Sequence, residues 1–252
     1  MTHRLLVIAG RDPSGGAGVD ADRDALGSLD LEVTYVVTAD TDQDDGEVRS
    51  AGARSPDLWL AEARGALPAS AIKLGLLPGV EAVRAAADLL ASAGGAPVVL
   101  DPVIESTSGF TFLDAPALDE LRASLVPAGV ILTPNLPELA RLTDASLAHL
   151  AADLDARADA ASHLVERGAA AVVVKGGHGL EDPAVDLLVR PGGRPLRVEH
   201  ERIRGARLRG TGCRFASALA GHLALGGTLE QGIGVAGSLV LDRLGGGAET
   251  RS

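Results

Sequence analysis

The stretch RGTGCRFASALAGHLAL, which runs from Arg209 to Leu225, joins a glycine turn to the start of a helix. Gly210 and Gly212 permit a tight turn that exposes backbone amides, and the alanine- and leucine-rich run from Cys213 onward predicts a helix. The first turn of a helix has unpaired N–H groups and a partial positive charge, so it attracts an anion such as a terminal phosphate. The stretch therefore predicts a phosphate-binding turn.

The single cysteine of the chain, Cys213, lies in the first turn of this predicted helix. Because the helix dipole favours thiolate over thiol, we expect its pKa to fall below the ~8.5 of a free cysteine. Such a thiolate could take a proton from a substrate hydroxyl. Most lone cysteines are instead small buried apolar residues, but the position in a glycine turn favours a catalytic role.

Composition limits the classes of protein that fit. The chain has 252 residues, 46% of them hydrophobic, so it can bury a substantial core. One cysteine excludes a disulfide within the chain and favours a reducing cytoplasm. No apolar run is long enough to span a bilayer, and a net charge of −11 argues against nucleic acid or an anionic membrane as the main partner. The net charge does not exclude an anionic substrate bound in a local basic pocket. Lys73 and Lys175 are the only lysines of the chain, and their compact charges suit phosphate binding, with placement by chance as the alternative interpretation.

Apolar runs rich in β-branched residues alternate with alanine-rich segments along the chain. This order predicts a parallel sheet covered by helices, in one domain over residues 1–252, since no linker or repeat divides the sequence. The predicted strands cover residues 4–9, 32–38, 71–77, 97–100, 130–132 and 169–174, followed by a hairpin of residues 185–190 and 196–199. The last helix is predicted over 229–244, with residues 244–252 as a frayed tail.

A glycine-rich loop, GRDPSGGAGVDAD from Gly10 to Asp22, follows the first predicted strand. Its spacing matches neither the dinucleotide-binding nor the Walker fingerprint, yet a loop at the carboxyl edge of a parallel sheet is where ligands bind. A helix is predicted from about Ala17. Asp20, Asp22 and Asp24 lie near its start, where a capping role is the simplest interpretation and a ligand contact by one of them is the alternative.

An acidic cluster follows the second predicted strand, in the segment ADTDQDDGEV, and consists of Asp40, Asp42, Asp44 and Asp45. The cluster could attract a cation, but the spacing lacks the downstream glutamate of an EF-hand loop. We therefore predict a solvated acidic loop here.

Polar residues follow three further buried strands. Asp101 closes one strand, and a carboxylate at the carboxyl end of a strand can reach Mg²⁺ or orient a nucleophile. Asn135 and Glu138 lie three apart on the first turn of a helix, so both could act on a metal-bound phosphate. A helix cap is the simpler interpretation of Glu138. Lys175 would emerge at the same edge, beside a glycine turn.

Six motifs taken in order resemble those of the hydroxymethylpyrimidine and phosphomethylpyrimidine kinases of thiamine biosynthesis, in the ribokinase-like superfamily. They are GRDPSGGAGVDAD, IKLGLL, VVLDPV, ILTPNLPE, VVVKGGH and RGTGC. The resemblance implies an α/β three-layer sandwich, with a mostly parallel central sheet between helices, commonly in a homodimer. It also implies that ATP and Mg²⁺ serve to phosphorylate the hydroxymethyl group of a pyrimidine or a similar heterocycle.

The resemblance also implies roles for particular residues. The catalytic group would be Cys213 together with an anion hole of Gly210, Thr211 and Gly212. The substrate-binding group would be Asp22, Gln43, Gly10, Gly75 and Val103, with Lys73 nearby. The ATP-binding group would be Lys175, Asn135 and Gly177. The metal-binding group would be Asp101 and Glu138.

The chain departs from the family pattern around the predicted substrate loops. The family's TAxTAQNT is TADTDQDD here, and its lysine after DPV is Thr107, in a loop that begins with Glu105. Arginines replace a histidine, a threonine and a serine or threonine of the family, at Arg209, Arg214 and Arg11.

The opposite signs of these changes suggest a remodelled pocket. We hypothesise that Asp40, Asp42 or Asp44 pairs with one of the three arginines. Unpaired carboxylates in a poorly screened pocket would disfavour an already phosphorylated substrate by on the order of a few kcal/mol.

Three interpretations of function stay open at this point. The protein is a pyrimidine kinase of the thiamine pathway, a related kinase of another small molecule such as pyridoxal, or a catalytically silent metabolite-binding homologue. The retained anion-hole motif and Cys213 favour an enzyme, because a pure binding protein has no use for a phosphoryl site. The charge changes favour the second or third interpretation.

Overall fold

A computed structural model describes residues 2–44, 47–106, 108–203 and 208–249. Within these ranges the strands form one nine-stranded sheet in the order β3-β2-β1-β4-β5-β6-β7-β8-β9. The strands are β1 Arg4–Arg11, β2 Glu32–Asp44, β3 Glu47–Ala53, β4 Ala71–Leu74, β5 Val98–Leu100, β6 Ile131–Leu132, β7 Ala171–Val174, β8 Ala184–Val189 and β9 Leu196–His200.

The α-helices of the described ranges alternate with the strands over most of the chain. They are α1 Gly18–Leu26, α2 Pro56–Gly65, α3 Val80–Leu90, α4 Ala115–Glu120, α5 Leu136–Thr143, α6 Leu147–Ala152, α7 Leu154–Glu166, α8 Thr211–Ala224 and α9 Leu229–Glu249. In these ranges, no helix combines the length and the apolar character needed to cross a membrane.

The middle of the sheet is parallel and its edges are antiparallel. Strands β2, β1, β4, β5, β6 and β7 pair in parallel. Strand β3 closes one edge as a hairpin with β2, and β8 and β9 close the other. The carboxyl ends of the parallel strands therefore open at one common edge, where the loops that follow them meet.

Helices cover both faces of the sheet, as the alternation along β1 shows. Leu6 and Ile8 belong to a core cluster with residues of α2, α3, α5 and α7. Leu5 and Val7 point to the other face and pack in a second cluster with residues of α1, α8 and α9. Each fully buried side chain of this kind contributes about 1.5–3 kcal/mol of transfer free energy. The predicted three-layer α/β architecture is thereby confirmed.

The predicted acidic loop is wrong, because the segment continues β2 to Asp44 and turns back as β3. Ala39 and Thr41 are buried, whereas Asp42 is exposed and Asp40 is half-buried. Such an alternation has the period of a strand, and Thr41 pairs with Ala51 across the hairpin. Asp40 and Asp42 occupy the outward positions of this strand. Asp45 lies outside the described residues.

Two helix boundaries also differ from the prediction. Helix α8 begins at Thr211, two positions before Cys213. Helix α9 continues to Glu249, so most of the segment expected to be a frayed tail is helical in its backbone. Residues 250–252 lie outside the described part of the chain.

Candidate active site

A cavity of ≈ 620 Å³ lies at the carboxyl edge of the parallel strands. Its volume is in the range of small-molecule sites. Most of the residues that the sequence singles out line it, and they come from distant parts of the chain. They are Gly10, Asp101, Val103, Asn135, Glu138, Lys175, Gly210, Thr211, Gly212 and Cys213.

The turn before α8 has the conformation that the glycines predict. Gly210 is the N-cap of the helix with φ 70°, in the left-handed region, and no side chain caps this end of α8. A Cβ atom at Gly210 would lie 2.5 Å from the carbonyl oxygen of Gly16. Glycine is therefore required both by the backbone angle and by the close approach of the first loop. The uncapped amides of the first turn are available to an anion at the cavity wall.

The lowered pKa expected for Cys213 is wrong. Burial raises the pKa of the thiol to about 12, and the nearby carboxylates of Asp101 and Asp22 act in the same direction. The ammonium of Lys73 opposes this shift but does not overcome it. In the ligand-free site Cys213 is therefore a protonated thiol at neutral pH.

Lys175 forms an ion pair next to the anion-hole turn. Its Nζ lies 2.9 Å from Oδ1 of Asp101 and 3.9 Å from Oε2 of Glu138. A Cβ atom at Gly212 would lie 3.0 Å from the same Nζ, so the ammonium packs against the turn. Burial opposes the charge of Lys175, but the two carboxylates outweigh it and raise its pKa. A permanent positive charge thus lies beside the uncapped amides.

Glu138 both caps helix α5 and lies at the cavity, two roles that its position in the sequence left as alternatives. Asn135 and Glu138 form a reciprocal capping box at the start of α5, with Asn135 N–H donating to Oε2 of Glu138 at 2.7 Å. Burial, together with the charge of Asp101, raises the pKa of Glu138 to about 7, although Lys175 opposes the shift. The capping role is confirmed, and both side chains still reach the cavity wall.

The two carboxylates predicted for a metal, Asp101 and Glu138, both line the cavity and both lie next to Lys175. Among the described residues no group of three or more His, Cys, Asp or Glu side chains could hold a metal ion. Mg²⁺ is usually held by one or two carboxylates, several waters and phosphate oxygens. Two carboxylates next to the uncapped amides of α8 fit that requirement.

Asp22 does not reach the cavity, so a direct contact with the substrate is not supported by its geometry. Its side chain is fully buried and accepts from Nζ of Lys73 at 3.0 and 3.1 Å and from Oγ of Ser217 at 2.7 Å. Lys73 lies at the cavity wall, also with no exposed surface. Gly75 leaves room for this lysine, since a Cβ there would lie 2.8 Å from Nζ. The ion pair thus supports the wall from behind.

Of this buried group, Lys73 was predicted to lie near the substrate-binding residues, and Ser217 is the member that the sequence interpretation leaves out. Ser217 lies one turn after Cys213 on α8, a spacing that predicts a shared face. A lysine inside an apolar strand, in a chain with two lysines, was the available signal for Lys73.

Two predicted site residues are less well placed. Gly177 lies in a 3₁₀ turn, Gly176–His178, and its carbonyl oxygen accepts from Arg202, but it is not part of the cavity wall. Gln43 pairs with Val48 through the backbone of the β2–β3 hairpin. Its side chain lies outside what the structure describes.

The hypothesis that one of the aspartates pairs with one of the three arginines is confirmed by Arg11. Arg11 Nε lies 2.6 Å from Oδ1 of Asp40. The other pairs are formed with carboxylates that the hypothesis did not include, Arg209 with Asp12 at 2.6 Å and Arg214 with Asp24 at 2.9 Å. The side chain of Asp44 and all of Thr107 lie outside the described residues.

Comparison with known proteins gives the family. The model described as Phosphomethylpyrimidine kinase matches residues 12–249. The chain belongs to this family. The hydroxymethylpyrimidine/phosphomethylpyrimidine kinase of Bacillus subtilis is 31% identical over 241 residues, covering 94% of this chain and 88% of the relative. The chain spans only 30% and 46% of the length of two multifunctional and bifunctional thiamine biosynthesis proteins that it also matches.

Solved structures of the family and of a neighbouring family share the fold. Phosphomethylpyrimidine kinase from Clostridium difficile has a TM-score of 0.80 and 26% identity, covering 96% of this chain and 99% of that one. Pyridoxal kinase from Staphylococcus aureus, in complex with AMP-PCP and pyridoxal, has a TM-score of 0.83 and 25% identity, covering 96% and 87%. The family resemblance found in the six motifs is confirmed.

Proposed function

We propose that the protein transfers the γ-phosphoryl group of ATP to the hydroxymethyl group of 4-amino-5-hydroxymethyl-2-methylpyrimidine, to its monophosphate, or to both. The observation that carries this proposal is the convergence of the uncapped Gly210–Gly212 turn, Cys213 and the Lys175–Asp101 pair on one cavity. Membership in the phosphomethylpyrimidine kinase family supports the choice of acceptor.

The residues at the cavity divide the work between positioning and charge neutralisation, which dominate phosphoryl transfer. The amides of the turn bind the transferred group, and the ammonium of Lys175 neutralises phosphate oxygens. Asn135 and Glu138, fixed to one another by the capping box, hold the wall on the nucleotide side. Cys213 contacts the acceptor hydroxyl and orients it, because a thiol that is protonated at neutral pH is not a ready base.

Asp101 and Glu138 would hold Mg²⁺ together with phosphate oxygens of the nucleotide. The ion supplies charge neutralisation of the transferring phosphate when it is bound. The ammonium of Lys175 would then also partly neutralise these two carboxylates, next to the phosphates of the nucleotide.

The expected bias against a phosphorylated substrate is reduced by the observed ion pairs. Asp40 is paired with Arg11 and Asp12 with Arg209, and both arginines line the cavity. Because Asp40 and Asp12 each have a guanidinium partner, these two carboxylates add little net negative charge at the cavity. The monophosphate is therefore kept among the proposed substrates.

Pyridoxal is the second candidate acceptor. The observation in its favour is the similarity to a pyridoxal kinase whose structure contains pyridoxal and AMP-PCP. We keep it as the alternative because the family model and the relatives of comparable length carry the pyrimidine kinase name.

The test is Mg·ATP-dependent phosphorylation of the hydroxymethylpyrimidine, its monophosphate and pyridoxal, with product mass as the readout. Cys213→Ala serves as the matched variant. We expect turnover of at least one pyrimidine, and a fall in kcat of about 100-fold in the variant, from the lost orientation of the acceptor, with the KM for ATP little changed. Turnover of pyridoxal alone would establish the second candidate. A folded protein that uses none of the three would overturn the proposed function and favour a kinase of another small molecule or a silent metabolite-binding homologue.

A homodimer, a cytoplasmic location and the absence of a nucleic-acid partner belong to the same proposal. The net charge of −11 and the single cysteine support the last two. Sedimentation of the purified chain measures the first.

A further inference from the structure

Arg214 bonds to two backbone segments at the cavity. It lies in the first turn of α8, directly after Cys213, and its side chain is 9% exposed. Nε donates to Oδ2 of Asp24 on α1 at 2.9 Å. Nη1 donates to the carbonyl oxygen of Arg209 at 2.7 Å and lies 3.3 Å from that of Gly16. One guanidinium thus joins α1, the first glycine loop and the turn before α8.

These two backbone segments lie close together and both line the cavity. A Cβ atom at Gly210 would lie 2.5 Å from the Gly16 oxygen and 3.0 Å from Nη1 of Arg214. Ala17 and Gly210, the residues that follow the two bonded carbonyls, are both part of the cavity wall. The guanidinium therefore lies behind the wall and not in the ligand space.

Because the peptide unit is planar, a hydrogen bond that fixes the direction of a carbonyl also fixes the direction of the amide N–H that follows it. In a trans peptide the C=O and the following N–H point in opposite directions. The Arg209 carbonyl, held by Arg214, thus sets the direction of the Gly210 N–H, and the Gly16 carbonyl sets that of the Ala17 N–H. A flipped peptide at either place would present an oxygen instead of a donor to the transferring phosphate, and one lost donor of this kind costs about 10²–10³ in rate.

We infer that Arg214 is a positioning residue that holds the amides of Gly210 and Ala17 toward the transferring phosphoryl group, with Asp24 as its anchor. The inference rests on the proposed phosphoryl transfer. It assigns a role to position 214, where this chain has arginine and the resembled family has threonine.

The chain offers a matched control in Arg243 of α9. Its Nη2 lies 2.7 Å from Oδ1 of the same Asp24, and its side chain is 49% exposed. Arg214→Met and Arg243→Met each remove one guanidinium from this carboxylate, but only the first releases the two carbonyls. A purely structural role in joining the helices would make the two variants alike.

The experiment compares wild type, Arg214→Met, Arg214→Lys and Arg243→Met in steady-state kinetics with the hydroxymethylpyrimidine and Mg·ATP. For Arg214→Met we expect kcat to fall about 10- to 100-fold with both KM values within about threefold. Binding of ADP with aluminium fluoride and the pyrimidine should weaken in parallel, while binding of ADP alone stays unchanged. Arg214→Lys should lose less, and Arg243→Met should stay within about twofold of wild type.

The outcomes distinguish a failure of the proposed function from a failure of the inference about Arg214. A wild-type protein that phosphorylates no acceptor overturns the proposed function and this inference with it. Wild-type turnover combined with equal kcat values in Arg214→Met and Arg243→Met overturns the inference alone. If Arg214→Met does not fold, as judged by thermal unfolding, Arg214→Lys against Arg243→Lys carries the same comparison.

Discussion

The thiol of Cys213 shows how burial and a helix N-terminus compete at one residue. The sequence predicts a lowered pKa from the helix dipole, whose effect on a nearby charge is typically 0.3–1 kcal/mol. Desolvation acts against the thiolate and, with Asp101 and Asp22 close by, raises the pKa of Cys213 to about 12. Removal from water is therefore the larger effect at this position.

The reactivity of the thiol follows from this pKa. Below the pKa the thiolate fraction rises about tenfold for each pH unit, so alkylation of Cys213 by iodoacetamide should accelerate about tenfold per unit from roughly pH 7 to pH 10. Mass spectrometry of the ligand-free protein, whose only cysteine is Cys213, measures the rate. A plateau in the rate below about pH 9 would restore the lowered pKa.

Ion-pair partners were the least predictable feature at the residue scale. Arg11 and Asp40 are neighbours because Arg11 of β1 pairs in register with Asp40 of β2. Arg209 and Arg214 find their carboxylates on a loop and a helix that lie almost two hundred positions away in sequence. Local composition signals that charges need partners, whereas the fold decides which partners are within reach.

At the scale of elements, the turn before α8 depends on Gly210 for two separate reasons. Gly210→Ala would place a Cβ at φ 70° and 2.5 Å from the Gly16 oxygen. The left-handed conformation alone costs about 1 kcal/mol, and the contact forces the two loops apart in addition. We expect kcat to fall at least tenfold, with a loss of roughly 1–3 kcal/mol in the free energy of unfolding.

Gly226→Ala is the control for this variant. Gly226 follows α8 with φ 84°, and a Cβ there meets no atom within 4 Å. It should therefore lose about 1 kcal/mol of stability in urea unfolding and keep its kcat. Equal kinetic losses in the two variants would mean that the close approach of the loops has no role in the site.

Elements were predictable where pattern and composition agree. The apolar runs predicted β4 to β8, since buried strands are continuous in hydrophobicity, and β9, whose residues are exposed or half-buried, was predicted as the second strand of a hairpin with β8. The β2–β3 hairpin was missed because aspartate is depleted in strands, while the buried positions between the aspartates are filled by Ala39 and Thr41, which are not strongly apolar. Its alternation is visible only when burial is known.

At the scale of the whole molecule, the six ordered motifs predicted the family and the three-layer fold, because five of them lie at β1, β4, β5, β6 and β7, in the order of the sheet, and the sixth begins α8. What they could not give is which residues touch the cavity and which support it. Asp22 and Lys175 both follow glycine-rich or apolar segments, yet Asp22 is completely buried behind Lys73, and Lys175 lies in the cavity wall. That difference is set by packing between α1, α8 and the sheet.

The free energy of unfolding should depend on pH through the carboxyl of Glu138. Burial raises the pKa of this carboxyl from 4.5 to about 7, so the folded protein holds the proton more tightly than the unfolded chain. The stabilisation is present below pH 4.5 and is lost as the pH rises through about 7. Glu138→Gln, which stays neutral and can still accept from Asn135 N–H, should exceed wild type by roughly 1–3 kcal/mol at about pH 8, a difference that shrinks toward pH 5.

Urea unfolding across this pH range measures the difference, with Glu81→Gln as the control on the exposed face of α3. The control should show no comparable growth of stability with pH. A Glu138→Gln variant whose advantage is the same at both ends of the range would show that the carboxyl titrates as an ordinary glutamate. Whatever the pH dependence of its stability, the Glu138→Gln variant should have a lower kcat than wild type if Glu138 supports the nucleotide side of the cavity.

The scarcity of lysine has a chemical consequence for the folded protein. Lys73 has no exposed side-chain surface, and the side chain of Lys175 is 14% exposed at the cavity wall. The remaining basic side chains of the chain are arginines and histidines, which acylating reagents leave largely untouched. Amine-directed coupling chemistry therefore finds few reactive amines in the folded protein, because Lys73 is buried and Asp101 and Glu138 raise the pKa of Lys175 and keep its amine protonated. Immobilising or tagging this protein through its amines should thus be slow at its lysines and leave the cavity unmodified at neutral pH.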